Sequence, residues 1–340
     1  KEFRQMRRDR RTVALMVGMP VMMLIIFGYA ARFDVTSIPT AVVGPNAAAV
    51  GGLLDDAFEV VVSDPVGDAE MARELLRDSE AAIAIVANST PTVFVDGTEL
   101  FVAQSAMRRV TSLPAGAQVE VLFNPELSTS AVMVPSLIGL ILLFVGTVIT
   151  SLGVVREREQ GTLEQLAVTP LRPMDVIVGK VAPYFAVAVL DIIVITAVGI
   201  FLFDVPFRGS IAMFGAFGLL YLVVVLGLGV LISTVSKSQG EAIQLAIMVL
   251  LPQVMLSGMI FPLASMAPGV RWIGYLLPLT YFVMGMRGVF LKDSSFSALS
   301  FPLFILGVMA VVIFVLAILR FRRDLAPKRT DAPADVAVAS

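Results

Sequence analysis

Six long apolar runs constrain the fold of this chain more than any other feature of its sequence. They lie at about 12–30, 131–155, 181–203, 210–235, 242–261 and 301–319. A helix needs roughly 20 such residues to cross about 30 Å of hydrocarbon. The chain is also 57% hydrophobic and only 15% charged, whereas an average soluble domain is about 25% charged. We therefore predict an α-helical integral membrane protein with six transmembrane helices.

The basic residues indicate how the spans are oriented. The sequence KEFRQMRRDRR precedes the first run and RFRRD follows the last, so the positive-inside rule places both termini in the cytoplasm. A cleaved signal peptide is the alternative for the first run. Its apolar core would be only about 7–15 residues long, and we favour an uncleaved anchor.

A seventh span at 272–289 would place the C-terminus outside. Pro268 and Pro278 interrupt this stretch, and Arg271 and Arg287 bracket it. We therefore expect a re-entrant or interfacial hairpin on the outer side, before the last span. Arg271, Arg287 and Lys292 would then be three cations on the side that the positive-inside rule disfavours.

A segment of different character separates the first two spans. Residues 34–127 contain 14 acidic residues against four arginines. TAVVG, FEVVV, AAIAIVA, PTVFVD and AQVEVLF are typical of strands, and DAEMARELLRD and ELFVAQSAMRRV of amphipathic helices. We predict a small extracytoplasmic α/β domain at 34–128.

The stretch REREQGTLEQLAVTP, residues 156–170, is a dense polar cluster between two apolar runs. On a helix, Glu157, Gly161 and Glu164 share one stripe, which predicts an amphipathic helix at the cytoplasmic membrane surface. The alternative is a solvated loop that only marks the cytoplasmic side. A catalytic site is disfavoured because the chain has no His or Cys and no nucleophile at reach. A docking surface for a soluble partner is the more specific hypothesis.

The chain resembles a known family, the permease subunits of bacterial type-2 ABC exporters, in particular the multidrug-type group. The similarity runs to about Arg323 and is carried by five stretches. They are REREQGTLEQLAVTPLRPMDVIVGKVAPY, FDVPFRGS, GLGVLISTVSKSQGEAIQ, LPQVMLSGMIFPLASMAP and LLPLTYFVMGMRGVFLK. One departure is a very short connection between AIAIVANS and PTVFVDGT, which leaves the role of the outer domain open.

The resemblance implies a permease that pairs with a second copy or a sister permease and binds two ABC ATPase subunits in the bacterial inner or plasma membrane. ATP and Mg would be held by the ATPase, with no cofactor on this chain. The 156–180 loop would carry the coupling helix, and STVSKSQGE would make a lesser contact. The implied ATPase-coupling residues are Arg156, Glu157, Arg158, Gly161, Thr162, Glu164 and Gln165. Consistent with a separate ATPase, the chain contains no GxxxxGK[ST] phosphate-binding loop.

The predicted organisation follows. An elbow helix at 1–11 precedes the first span at 12–33 and the outer domain at 34–128. Spans two to six occupy 129–323, and a cytoplasmic tail at 324–340 is expected to be disordered. The hypothetical substrate pathway consists of Phe144, Asp191, Gln253 and Leu256. Ordinary helix packing is the alternative for Phe144, and a bond to a neighbouring helix or protonation for Asp191.

Two other functions remain open. A proton-driven secondary transporter would use Asp191, since a carboxyl group inside a membrane is a functional candidate. A membrane-anchored surface protein would bind its ligand through the outer domain. Membrane lipid is an expected partner, whereas a nucleic acid is not, because the net charge is −2 and the chain carries no basic stripe. Zinc sites built on His or Cys are excluded by composition. The identity of the substrate is not encoded in any recognisable motif.

Overall fold

A computed structural model describes residues 37–109, 116–160 and 173–325, together with six helical positions between 18 and 28. Most of the first predicted span, the predicted elbow helix and residues 326–340 therefore lie outside the described residues. The described chain consists of a small domain built on one β-sheet, here called the sheet domain, and a bundle of long helices.

The sheet domain contains five strands and three helices. In chain order they are β1 (Ile38–Val43), α1 (Ala47–Gly51), β2 (Phe58–Asp64), α2 (Ala69–Arg77), β3 (Ile83–Val86), β4 (Thr92–Asp96), α3 (Leu100–Arg108) and β5 (Gln118–Leu122). The strand order is β2-β1-β3-β4-β5. Neighbouring strands are parallel except β3 and β4, which are antiparallel.

Both faces of the sheet are covered by helices. Ala72, Leu75 and Leu76 of α2 pack on one face, while residues of α1 and α3 pack on the other. Central strands buried on both sides lose the alternation of polar and apolar residues, which is why β3 reads IAIV. Each of the five predicted strands and both predicted helices is present, whereas the short α1 was not predicted.

The bundle contains the remaining helices. They are α4 (Thr129–Glu159), α5 (Pro173–Phe203), α6 (Ile211–Val235), α7 (Gln239–Leu256), α8 (Pro268–Gly274), α9 (Pro278–Arg287) and α10 (Phe296–Leu325). A 3₁₀ turn, Leu263–Ser265, precedes α8, and a π-helical turn, Gly288–Lys292, extends α9.

Within the described residues, five helices are long and apolar enough to cross a membrane, namely α4, α5, α6, α7 and α10. The pair formed by α8 and the helical stretch Pro278–Lys292 passes the same test, but it is bent by 79°. A bend of this size belongs to a broken span or a re-entrant loop. The described part of the chain thus contains five candidate spans, or six if the bent pair is counted as one.

One predicted boundary is wrong. The sequence predicted that the fifth span continues to Phe261, but α7 ends at Leu256. Gly258 follows with φ +83°, a left-handed conformation that ends the helix. The guanidinium of Arg287 donates from Nη2 to the carbonyls of Gly258 and Met259, at 3.2 Å each. These bonds satisfy backbone groups that no longer have helical partners.

Helices α4, α6 and α9 pack closely at the centre of the bundle. Tyr221 of α6 stacks on Phe282 of α9 with ring centroids 4.3 Å apart, and its hydroxyl donates to the carbonyl of Gly139 in α4 at 3.1 Å. A Cβ atom added to Gly139 would lie 2.5 Å from the Phe282 ring, and one added to Gly285 would collide with the ring of Phe217. Glycine is required at both positions because the neighbouring helix leaves no room for a side chain.

Candidate functional site

Arg158, in the last turn of α4, binds the end of α6. Its Nη1 donates to the carbonyl oxygens of Ser233 and Ser236, at 2.9 Å each. Carbonyls in the last turn of a helix lack intrahelical partners, and a cation there also interacts favourably with the helix dipole. Arg158 therefore joins the ends of two candidate spans through charge-assisted bonds.

Glu159 binds the beginning of α7. Its carboxylate accepts from the backbone N–H of Gln239 at 3.1 Å and from Nε2 of the same residue at 2.6 Å. The start of α7 is also closed locally, because Ser238 Oγ accepts from the N–H of Glu241 and the Glu241 carboxylate accepts from the N–H of Lys237. This reciprocal arrangement resembles a capping box, and Glu159 adds a second carboxylate at the positive end of the helix dipole.

Glu157 forms an ion pair with Lys180 of α5. Three consecutive residues of α4, Glu157, Arg158 and Glu159, thus contact three different helices. Successive side chains on a helix point about 100° apart, so one turn can contact neighbours on several sides. We call this group of contacts the α4 knot, defined as residues 157–159 with Lys180, Ser233, Ser236 and Gln239.

A second group of polar contacts lies at the opposite end of α4. Lys292 of the π turn forms an ion pair of 2.5 Å with Asp96 of β4, with side chains 4% and 2% exposed. Its Nζ also donates to the carbonyl of Leu76 at 3.0 Å and to Ser79 Oγ at 2.7 Å. Ser295 Oγ donates to the carboxylate of Asp78 at 2.9–3.0 Å. These bonds join the sheet domain to the bundle.

A third link between the sheet domain and the bundle is weaker. Arg287 Nη1 lies 3.9 Å from Glu99 Oε1.

The Nε atoms of Arg271 and Arg287 are buried without a hydrogen-bond partner. Among the described residues, no cluster of three or more acidic side chains could hold a metal ion.

Comparison with known proteins identifies the family. The chain matches the family described as "ABC-2 family transporter protein" over residues 10–319. The chain belongs to the ABC-2 transporter family. Among similar proteins, "Probable multidrug ABC transporter permease YbhS" from Escherichia coli (strain K12) is 28% identical, with 96% of each chain covered. "Probable multidrug ABC transporter permease YbhR" of the same strain is 27% identical, with 87% of this chain and 89% of the relative covered.

Another similar protein matches only part of the chain. "Inner membrane transport permease YhhJ" from Escherichia coli (strain K12) is 32% identical, with 52% of this chain and 48% of the relative covered. The full-length matches and the apolar helices together make this chain a multi-pass membrane permease subunit of the ABC-2 family.

In this ABC-2 permease, only part of the predicted coupling site is described. Gly161, Thr162, Glu164 and Gln165 lie outside the described residues. Arg156 is exposed on the last turn of α4. Glu157 lies in the last turn of α4, which ends at Glu159 with Gln160 as its C-cap, and the rest of the predicted amphipathic helix lies outside the described residues.

Three members of the α4 knot were not predicted from the sequence. Glu159 was not singled out from the charged stretch, and Lys180 and Gln239 were not connected with it. The polar stretch STVSKSQGE was assigned to the other inner loop, and it contains Gln239. This assignment to the same side of the membrane was the available signal for a contact with the 156–170 stretch. Sequence spacing alone could not pair Glu157 with Lys180, 23 positions away, or Glu159 with Gln239, 80 positions away.

The four predicted pathway residues occupy different environments. Phe144 is 51% exposed on α4. Gln253 and Leu256 are only 2% and 1% exposed, and their place on a substrate pathway stays a prediction. Gln253 Oε1 accepts from the N–H of Leu279 at 3.4 Å, and Leu256 packs against Phe261 and Met266. A buried amide needs such a partner, so both residues hold α7 against α8 and α9.

Asp191 lies in the middle of the candidate span Gly179–Phe203 and is half-buried. It forms no hydrogen bond or ion pair with another described residue. A carboxylate at this depth is costly unless it is protonated or paired. Asp191 is therefore a carboxyl group inside a candidate span that has no partner among the described residues.

Proposed function

We propose that this ABC-2 permease is the transmembrane subunit of an ATP-driven exporter. It works as a pair of permeases with two separate ATPase subunits in a bacterial inner membrane, and it moves hydrophobic or amphipathic compounds outward. The words "multidrug ABC transporter permease" in the names of two relatives support this class of substrate. ATP and Mg bind the ATPase partner.

The proposed topology has six spans, formed by residues 12–33 and by α4, α5, α6, α7 and α10. Both basic termini and the α4 knot lie in the cytoplasm, and the sheet domain and the α8–α9 hairpin lie outside. The hairpin is re-entrant or interfacial, because its 79° bend lies between Pro268 and Pro278. The functional parts are then the coupling loop at 156–180 inside and the domain at 34–128 outside.

The α4 knot is the observation that carries the coupling proposal. The segment 161–172 connects α4 to α5, and the residue immediately before it, Gln160, caps α4. The preceding turn is bonded to α5, α6 and α7. A displacement of this segment by an ATPase would therefore be passed directly to four helices. Arg156 and residues 161–165 supply the contact surface, and residues 157–159 transmit its movement.

The experiment is purification of the chain co-expressed with a candidate ATPase, followed by ATPase and transport assays. Glu164→Arg tests the contact surface. Glu157→Lys breaks the ion pair with Lys180, and the exchange Glu157→Lys/Lys180→Glu restores that pair with the charges reversed. We expect Glu164→Arg to lower co-purification, Glu157→Lys to lower coupling, and the exchange to regain it.

Two outcomes would contradict this proposal. An ATPase that does not bind the wild-type chain removes the coupling function. A Glu164→Arg variant that binds and couples normally reduces the 156–170 stretch to a solvated loop. Recovery in the exchange variant would assign Glu157 to the α4 knot, whereas continued loss would assign it to direct ATPase contact.

The lack of an identified partner for Asp191 supports a second candidate, a proton-driven transporter. In that case Asp191→Asn abolishes transport, an uncoupler does the same, and no ATPase is needed. Transport that persists in the presence of the uncoupler and follows ATP would reject it.

A further inference from the structure

A cleft of about 470 Å³ lies between the sheet domain and the hairpin. One wall comes from the sheet domain and includes Asp78, Ser79 and Glu80, at the end of α2. The other wall comes from residues of the segment 257–264 after α7, from Tyr275 at the end of α8, and from α9, the π turn and α10. The volume of the cleft falls in the range of about 300–1,000 Å³ that is usual for small-molecule sites.

The two walls differ in chemistry. Tyr275, Met284 and Phe301 line the bundle side and are 43%, 38% and 65% exposed. The two cations on that side, Arg287 and Lys292, face Glu99 and Asp96. Positive charge in the cleft is thus balanced, while Asp78 and Glu80 add negative charge on the sheet-domain side. The cleft offers an apolar wall opposite a polar, acidic one.

The exposed aromatic residues indicate the depth of the cleft in the membrane. Among the described residues, every exposed aromatic side chain except Phe144 lies near the end of the bundle that carries the sheet domain. These residues are Phe201, Phe203, Trp272, Tyr275, Phe296, Phe301 and Phe304. Aromatic belts, above all of Trp and Tyr, mark the boundary between water and membrane. Two residues of this belt, Tyr275 and Phe301, also line the cleft.

The short helix α8 supports the same depth. The exposed positions of α8 and of the two residues after it are all uncharged, namely Pro268, Gly269, Trp272, Tyr275 and Leu276. Its one cation, Arg271, is turned back to the carbonyls of Ala264 and Met266. An uncharged face that carries Trp and Tyr suits the boundary region better than open water.

We propose that this cleft binds a cationic amphiphile as it passes between the transporter and the outer leaflet. Its hydrocarbon or aromatic part contacts Tyr275, Met284 and Phe301, and its positive group faces Asp78 and Glu80. This inference rests on the proposed export of amphipathic compounds and names the charge of the substrate class and an outer site for it.

The first measurement uses Trp272, which is the only tryptophan in the chain. In lipid nanodiscs we expect lipids brominated near the headgroup to quench its fluorescence, and Trp272→Phe to remove the signal. Quenching by aqueous iodide alone, without quenching by brominated lipid, would place this face in water or against a second copy of the chain and overturn the proposal.

The second measurement uses photolabelling of the full chain in nanodiscs. The probe is a long-chain quaternary ammonium compound with a diazirine in its tail, and the control probe is an alkyl sulfate with the same tail. We expect saturable labelling of Tyr275, Met284 or Phe301 by the cation alone. Glu80→Lys should lower this labelling by at least about fivefold, whereas Glu70→Lys, an exposed position in α2 away from the cleft, should not change it.

Equal labelling by both probes, or labelling that does not saturate, would show simple partitioning into lipid and overturn the proposal. The assay contains no ATPase, so its result is independent of co-purification. Loss of ATPase binding with retained photolabelling would reject the exporter function alone, and the reverse pattern would reject the cleft alone.

Discussion

At the scale of single residues, the cations near the hairpin show what a sequence rule can and cannot reveal. The positive-inside rule identified Arg271, Arg287 and Lys292 as exceptions, but it gave no reason for them. The structure supplies one, since Arg271 and Arg287 donate to backbone carbonyls and Lys292 pairs with Asp96. The partner of Lys292 is 196 positions away in the sequence, and no local pattern connects the two.

Replacing Lys292 tests the importance of this buried pair. Lys292→Met leaves the carboxylate of Asp96 buried and without its cation, and removing one partner of a buried pair costs about 3–5 kcal/mol. We expect a clear fall in the apparent Tm of the purified protein in detergent. The double variant Lys292→Met/Asp96→Leu should recover part of the loss, because it buries no unpaired charge.

The matched control is the exposed pair formed by Arg109 and Asp55, 3.4 Å apart, with side chains 39% and 48% exposed. Exposed pairs contribute about 0–1 kcal/mol, so Arg109→Met should leave the apparent Tm nearly unchanged. An equal effect of Arg109→Met and Lys292→Met would contradict a special role of the buried pair.

At the scale of elements, the sequence predicted the approximate positions of the long helices, but it did not predict the contacts between them. The apolar runs predicted α4, α5, α6, α7 and α10 because a membrane span needs a long apolar helix, which is a local property. The end of α7 was missed because Arg287, a distant residue, stabilises the non-helical backbone at Gly258 and Met259. The α4 knot was missed for the same reason, since its partners come from three other helices.

Arg158→Ala tests the transmitting role of the α4 knot. The variant leaves the carbonyls of Ser233 and Ser236 without the guanidinium, so the end of α6 loses its link to α4. We expect ATPase co-purification to persist while the transport driven by each ATP hydrolysed falls at least several-fold. Arg108→Ala, which removes an exposed cation from the last turn of α3 in the sheet domain, is the control for general loss of charge. If coupling were unchanged in Arg158→Ala, the contact between Arg158 and the end of α6 would not be needed to couple ATP hydrolysis to transport.

Gly139→Ala tests the close packing of α4 on α9. The added methyl group would meet the Phe282 ring, and such overpacking costs about 1–3 kcal/mol. We expect a lower apparent Tm. Gly215→Ala in α6 is the matched control, because no atom lies within 4 Å of its added Cβ. There the better helix propensity of alanine should keep the Tm equal or raise it. A Tm that is unchanged by both substitutions would mean that the central contact is looser than described.

At the scale of the whole molecule, composition and apolar periodicity were enough to predict a membrane bundle with a small α/β domain. The arrangement of the two parts could not be predicted, because it depends on ion pairs and serine bonds between distant segments, such as those of Lys292 and Ser295. The predicted site shares this limit. Its residue types were visible in REREQ, but which helix each one contacts was not.

The proposed orientation can be tested with single cysteines, because the chain has none of its own. Leu53→Cys, at an 80% exposed position of the sheet domain, should react with a membrane-impermeant maleimide in intact spheroplasts. Lys237→Cys, at an exposed position beside the α4 knot, should react only after permeabilisation. Labelling of both in intact spheroplasts would refute the six-span topology.

The glycine contacts at Gly139 and Gly285 also restrict how the protein can move. With a phenylalanine ring against each of these two backbones, α9 cannot slide along α4 or α6 like a piston without a steric collision. The three helices are therefore expected to turn together as one rigid block during transport. The hinges of the cycle would then lie outside this block, at the boundaries with the more exposed helices α5 and α10.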